Sequence, residues 1–131
     1  MKKLKKSKLY EDEFKFIFDK NGSGVRRVTV ISALIEEQIF SLVSIFLRER
    51  DINYKPAQSQ KYKQSLNLLK TNKQIDPILE DIEDFNDTLR NKAIHGIFEM
   101  EREEWNKHNK KTIDIGRKIV KYLDEKLYPN D

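Results

Sequence analysis

The sequence predicts an all-α fold, an up-and-down bundle of four to five helices, on three observations. Only four glycines and three prolines occur in 131 residues, while Glu, Lys, Leu and Ile, which accept helical backbone readily, are abundant. Apolar residues recur at spacings of three and four, as on one face of a helix. No run alternates apolar and polar residues as a half-buried strand does. The length suits one compact domain with a single core and is short for two, so residues 1–8 read as a basic, flexible N-terminus and 9–131 as one helical domain.

Each element follows from its pattern. Tyr10, Phe14, Ile17 and Phe18 predict a short amphipathic first helix that ends near Asn21-Gly22-Ser23-Gly24. That glycine-bearing turn is a poor phosphate loop, because the lysine and the serine or threonine of a P-loop do not follow it. Val25 to Arg50 is the most apolar stretch, with Val28, Ile31, Ile35, Ile39, Leu42 and Phe46 on one stripe and Val30, Leu34 and Ile45 outside it. Its polar residues Arg26, Glu37, Ser41, Ser44 and Arg48 fall in a narrow band, so the helix is expected at the centre of the bundle and in part against a second subunit.

After a connection at Asp51 to Pro56, Tyr62, Leu66 and Leu69 predict another short helix, and Lys70 to Gln74 turn the chain. Asp76-Pro77 opens the next helix, since a carboxylate accepts from exposed first-turn amides and Pro suits the first helical position. Ile78, Ile82, Phe85, Leu89 and Ala93 form its core stripe, through to about Phe98. A last helix, roughly Met100 to Tyr128, carries Trp105, Thr112, Ile115, Ile119 and Tyr122 inward and is stopped by Pro129. The aromatics Tyr10, Phe14, Phe18, Phe40, Phe46 and Phe85 read as core.

The net charge of +4 is a property of the N-terminus. Lys2, Lys3, Lys5, Lys6 and Lys8 account for five of the 26 Lys and Arg residues, leaving 21 against 22 acids. Such a tip attracts nucleic acid non-specifically or merely aids solubility. With no cysteine, disulfides, thiolate nucleophiles and cysteine-based metal sites are excluded. No contiguous apolar run approaches the ~20 residues that span a bilayer, and charged residues stand where a signal peptide is apolar. The expectation is a soluble, cytoplasmic protein with no membrane contact, cofactor or metal.

The candidate site lies at Arg90, Asn91 and His95. On a helix Asn91 and His95 are about 40° apart and share a face, whereas Arg90 lies about 140° from His95. Ile94 and Phe98 also fall toward this face, which suggests contact with a second copy of the helix. The chemistry that suits it is metal-independent RNA cleavage. There a base accepts the proton of the attacking 2′-hydroxyl, an acid protonates the departing 5′-oxygen, and a cation stabilises the phosphoryl oxygens. Imidazole exchanges protons near neutral pH, and guanidinium binds phosphate through parallel donors but neither gives nor takes a proton. One chain therefore supplies one proton-transfer group where two are wanted.

The string Arg90-Asn91-Lys92-Ala93-Ile94-His95-Gly96 resembles the signature of the HEPN superfamily, in which Arg, usually followed by a polar residue, precedes His by four to six positions. The layout is similar too, with an apolar helix and a Ser-Leu-Asn-Leu-Leu helix before the motif and a long helix after it. The resemblance covers most of Val25 to Tyr128 in layout and about seven residues in detail. It implies a bundle that dimerises with the motif at the interface, acting as a ribonuclease toxin or defence effector on RNA, with a cognate antitoxin as partner. Arg90 would hold phosphate, Asn91 would assist and His95 would be the acid or base. Some toxin members carry a tyrosine two positions after the His as the target of AMP transfer; Ile97 stands there in this chain.

Competing readings use the same residues. A non-catalytic HEPN-like module would bind a partner or nucleic acid through this face. Glu80, Asp84 and Asp87 project onto the Asn91/His95 face in an unbroken helix, where they repel an RNA backbone, and they read as a solvated face or a match to a basic partner. Asp87 with His95 lacks the second histidine of a metal site. His108, one turn after Trp105, reads as a satisfied core or interface histidine. A helical transcriptional regulator is the weakest alternative, since no basic recognition helix is visible.

Overall fold

The computed structural model describes residues 6–19, 24–50, 61–96 and 100–129, and these form an all-α bundle with no strand among them. Five helices follow in order: α1 (Lys8–Phe18), α2 (Gly24–Arg48), α3 (Lys61–Thr71), α4 over 79–95, and α5 (Arg102–Leu127). Residues 1–5, 20–23, 51–60, 97–99 and 130–131 lie outside the described residues, and with them Ile97, Phe98, most of the turn expected at Asn21 to Gly24 and the connection expected at Asp51 to Pro56.

Helix α1 starts where Ser7 accepts the Tyr10 amide at 3.1 Å, a serine N-cap. The helix thus begins inside the stretch read as a flexible tail, and Lys6 pairs with Asp124 at 3.6 Å. Ile17 is fully buried, and Tyr10 and Phe14 pack against the core. Phe18 departs from its expected core place: it is 39 % exposed at the end of α1, with the Arg117 guanidinium 5.9 Å from its ring.

The apolar helix α2 is the centre of the bundle and packs against α1, α3, α4 and α5. Every residue of its expected stripe is buried, Leu34 joins them, and Val30 and Ile45 are half-buried against the same core. Its side chains reach neighbours on several sides, which accounts for an apolar surface wider than one stripe. By length and composition α2 also qualifies as a membrane span, contrary to the expectation that no apolar run is long enough; half of its most apolar window is buried inside the bundle. Gln38, buried beside α1 and α5, donates to the Tyr10 hydroxyl at 2.9 Å and the Val120 carbonyl at 3.0 Å, and Tyr10 donates onward to Asp124 at 2.7 Å.

Helix α3 ends in a Schellman closure, with Lys73 N–H on Lys70 O, Gln74 N–H on Leu69 O, and Lys73 itself in the left-handed region at φ 56°. A 3-10 turn (Asp76–Ile78) then enters α4 with Pro77 in its first positions. Asp76 does not cap it as expected: the cap position is Ile75, and no side chain bonds there. In α5 the buried face is centred on Asn109, Thr112, Gly116, Ile119, Val120 and Leu123, while Trp105, Ile115 and Tyr122 flank it half-buried. The face turns toward Gly116 because a side chain there would collide with Ile31 and meet Phe85 at 3.0 Å, so the missing Cβ lets α5 approach α2 and α4 closely.

Candidate functional site

The site residues sit on α4, which is not a uniform helix. It runs as an α-helix over Leu79–Asp84, as a π-helical turn over Phe85–Leu89, and as an α-helix again over Arg90–His95, with helical backbone at both junctions. The Arg90 amide bonds to the Phe85 carbonyl, five residues back. Such a turn takes up one residue more than an α-turn, so the segments on its two sides are rotated by about 100° from a plain projection. Asp84 precedes it and therefore leaves the Asn91/His95 face onto which that projection put it, whereas Glu80 moves only to the other side of His95, about 40° from it. Asp87 lies within the turn and is exposed.

Arg90 is half-buried and directed by its own chain. One Nη donates to Ser32 Oγ on α2 at 3.1 Å, and the other donates to Asn91 Oδ1 at 3.4 Å. Asn91 and His95 are exposed. Three of the predicted site residues therefore lie within one and a half turns of helix, with Asn91 bonded to Arg90 and His95 displaced around the cylinder. Ile94, expected at an interface, is half-buried and packs against the hydrophobic core, which accounts for its apolar side chain within a single chain.

Beside Arg90 lies a group that the sequence did not reveal. Asn86, four residues before Arg90, donates to the Tyr62 hydroxyl of α3 at 2.7 Å. Tyr62 titrates above its ordinary value because it is buried, and Glu36 and Asp87 raise it further; the Asn86 bond and the positive Arg90 oppose them. Its phenol thus stays neutral near the arginine. Asn86 and Arg90 stand four residues apart, a spacing that puts two residues on one side of a helix, but no sequence signal links Ser32 or Tyr62 to them.

Helix α5 holds this segment from behind. Trp105 Nε1 donates to the Ala93 carbonyl at 2.8 Å, and His108 Nε2 donates to the Leu89 carbonyl at 3.1 Å. Thr112 Oγ1 donates to His108 O at 2.9 Å and lies 3.4 Å from the same Leu89 oxygen. His108 is the satisfied histidine its position predicted. Gly96 leaves room for this contact, since a Cβ there would stand 3.3 Å from the Trp105 ring. Carbonyls near the end of a helix often lack intrahelical partners, and the indole supplies Ala93 with a donor from α5.

Among the described residues no group of three or more His, Asp or Glu side chains converges as metal ligands do. Compared with protein families, with curated proteins and with solved structures, the chain gives no match. The functional reading therefore rests on the residues and their geometry.

Proposed function

We propose that this chain is a metal-independent endoribonuclease with an HEPN-like bundle, acting as a homodimer. The observation that supports it most is the Arg90 guanidinium, aimed by Ser32 and Asn91 directly after a π turn, on the helix that exposes His95. π turns within α-helices are frequent at functional sites. A guanidinium has five N–H donors, and the two bonds to Ser32 and Asn91 leave three for a phosphate.

In this reading a phosphodiester sits between Arg90 and His95. The 2′-oxygen attacks phosphorus as a base takes its proton, the P–O5′ bond breaks, and the leaving oxygen receives a proton, which gives a 2′,3′-cyclic phosphate and a 5′-hydroxyl. Arg90 stabilises the charge on the phosphoryl oxygens and His95 carries one proton transfer. The other falls to the His95 of a second subunit, because one chain offers a single exposed imidazole on this face. The displacement of Asp84 by the π turn lowers the repulsion an RNA backbone meets there. A toxin or defence role in the cytoplasm, held in check by a cognate antitoxin, belongs to the same proposal.

The test is cleavage of single-stranded RNA by the purified chain in EDTA, with cyclic phosphate as the product. Arg90→Ala and His95→Ala should each abolish it while circular dichroism and sedimentation stay unchanged. Cleavage retained in both variants refutes the site. A second reading, a non-catalytic helical module, draws on the same Arg90 bonds, which tie α4 to α2 and give the arginine a structural task. It expects no turnover and a loss of stability, not of activity, in Arg90→Ala.

A further inference from the structure

We propose that the cleft where α2 begins is a phosphate-binding site. The cleft has a volume of about 360 Å³ and lies between the start of α2 and the middle of α5. Its lining includes Arg27, Lys110 and Arg117, three cations from two helices, against one carboxylate, Asp114. The observation that points to a ligand is Arg27. Its side chain is 7 % exposed, and its Nε and Nη2 have no hydrogen-bond partner among the described residues.

A guanidinium in that state is costly, because a buried charge is tolerated when paired and hydrogen-bonded. The Phe16 ring, 5.9 Å from Arg27, is at the outer limit of a cation–π contact and compensates little. A second cation makes the balance worse: burial lowers the Arg117 pKa and the nearby Arg27 lowers it further, while Asp114 opposes them. Arg117 is fixed in place by its Nε, which donates to the Ile17 carbonyl at 2.6 Å. Two positive side chains held together beside an open volume have one economical complement, an anion within it.

The remaining lining suits an oxyanion. Gly24 is the first residue of a 25-residue helix with no acid in its first turn, so no carboxylate within that turn offsets the positive end of its dipole. A Cβ at Gly24 would occupy the place of the Asn109 amide, so this residue brings the helix start against α5. Asn109 is 7 % exposed with no hydrogen-bond partner for Oδ1 among the described residues, and its amide presents either atom by turning. Three cations less one carboxylate leave a net +2, which matches a phosphate dianion better than a carboxylate or chloride. The phosphate is either free or the terminal group of a nucleic acid. The inference is independent of the ribonuclease reading.

The experiment is titration of the full chain with inorganic phosphate at constant ionic strength, followed by calorimetry and phosphorus NMR, with chloride as reference. Saturable one-site binding is expected. Lys110→Gln, an exposed position, and Arg117→Gln should each weaken it about tenfold, and Asp114→Asn should tighten it. Arg27→Met should melt higher than the parent in phosphate-free buffer and lose the phosphate-dependent rise in Tm. A 5′-phosphorylated dinucleotide that binds more tightly than both its 5′-hydroxyl form and inorganic phosphate assigns the site to nucleic-acid ends; the opposite order assigns it to free phosphate. No saturable binding of either phosphate, or affinity unchanged in both Lys110→Gln and Arg117→Gln, overturns the proposal.

Discussion

Replacing Trp105 with Phe separates the anchor of the motif helix from the motif. The substitution keeps an aromatic ring but removes the N–H that reaches Ala93 O at 2.8 Å. Ala93 is 1 % exposed, so its carbonyl would be left in the interior without that donor. An unsatisfied buried group costs about 1–3 kcal/mol; because the indole is only half-buried, water recovers part of this and about 1–2 kcal/mol is expected. For a chain of this size that corresponds to a fall in Tm of about 3–6 °C. Trp105 is the only tryptophan, so unfolding must be followed by circular dichroism. The decisive assay is amide hydrogen exchange. Protection over 90–95 should drop more than protection in α2, since the lost bond joins α5 to the end of α4 and involves no residue of α2. If exchange over 90–95 is unchanged, or if it rises only in step with α2, the indole does not hold the motif in place.

Three further outcomes follow from the packing and the titrating groups. Gly116→Ala should lower the unfolding free energy from urea titration by about 1–2 kcal/mol, as overpacking against Ile31 and Phe85 outweighs the helix propensity gained; a stabilised variant would mean that α5 and α2 are not in close contact there. Lys73→Gly should raise Tm by about 3 °C, because φ 56° costs a side-chain-bearing residue about 1 kcal/mol that glycine avoids. Burial and the bond to Asp124 raise the Tyr10 pKa far above its ordinary 10.0. A raised folded-state value stabilises below the unfolded pKa and is lost as pH rises toward the folded one, so stability should decline above about pH 10. In Tyr10→Phe, urea midpoints should start lower at neutral pH and fall less between about pH 9 and 11; an equal fall assigns the alkaline sensitivity to other groups.

The core was legible because it is periodic. Val28 through Phe46 on α2 and Ile78 through Ala93 on α4 could be placed by spacing alone, and all of the named stripe residues are buried. The last helix was placed less well because its closest contact is made by Gly116, a residue whose packing value is the absence of a side chain and which carries no apolar signal. Phe18 misled for the converse reason: an aromatic at the right spacing lies at a helix end and is left 39 % exposed there. Arg90, Asn91 and His95 were legible as a local string, whereas Ser32, 58 residues away, and Tyr62 join them only through the packing of α2 and α3 on α4. The π turn has no signature in composition, yet it decides which acids share a face with the motif.

That turn and the burial of Ile94 together narrow where a second subunit can complete the proposed site. Ile94 is half-buried against its own core, so it offers a partner helix only part of its side chain, and the exposed residues of the segment are Asn91, Lys92 and His95. A face of this kind is polar and cationic, and two copies of it repel unless something anionic lies between them. A phosphodiester would be such a bridge. The proposed dimer should therefore tighten when a non-cleavable 2′-deoxy oligonucleotide is added, by sedimentation at low salt, and that gain should disappear in Arg90→Gln. A dimer equally stable with and without oligonucleotide would place the interface elsewhere on the bundle and leave each chain with half a site.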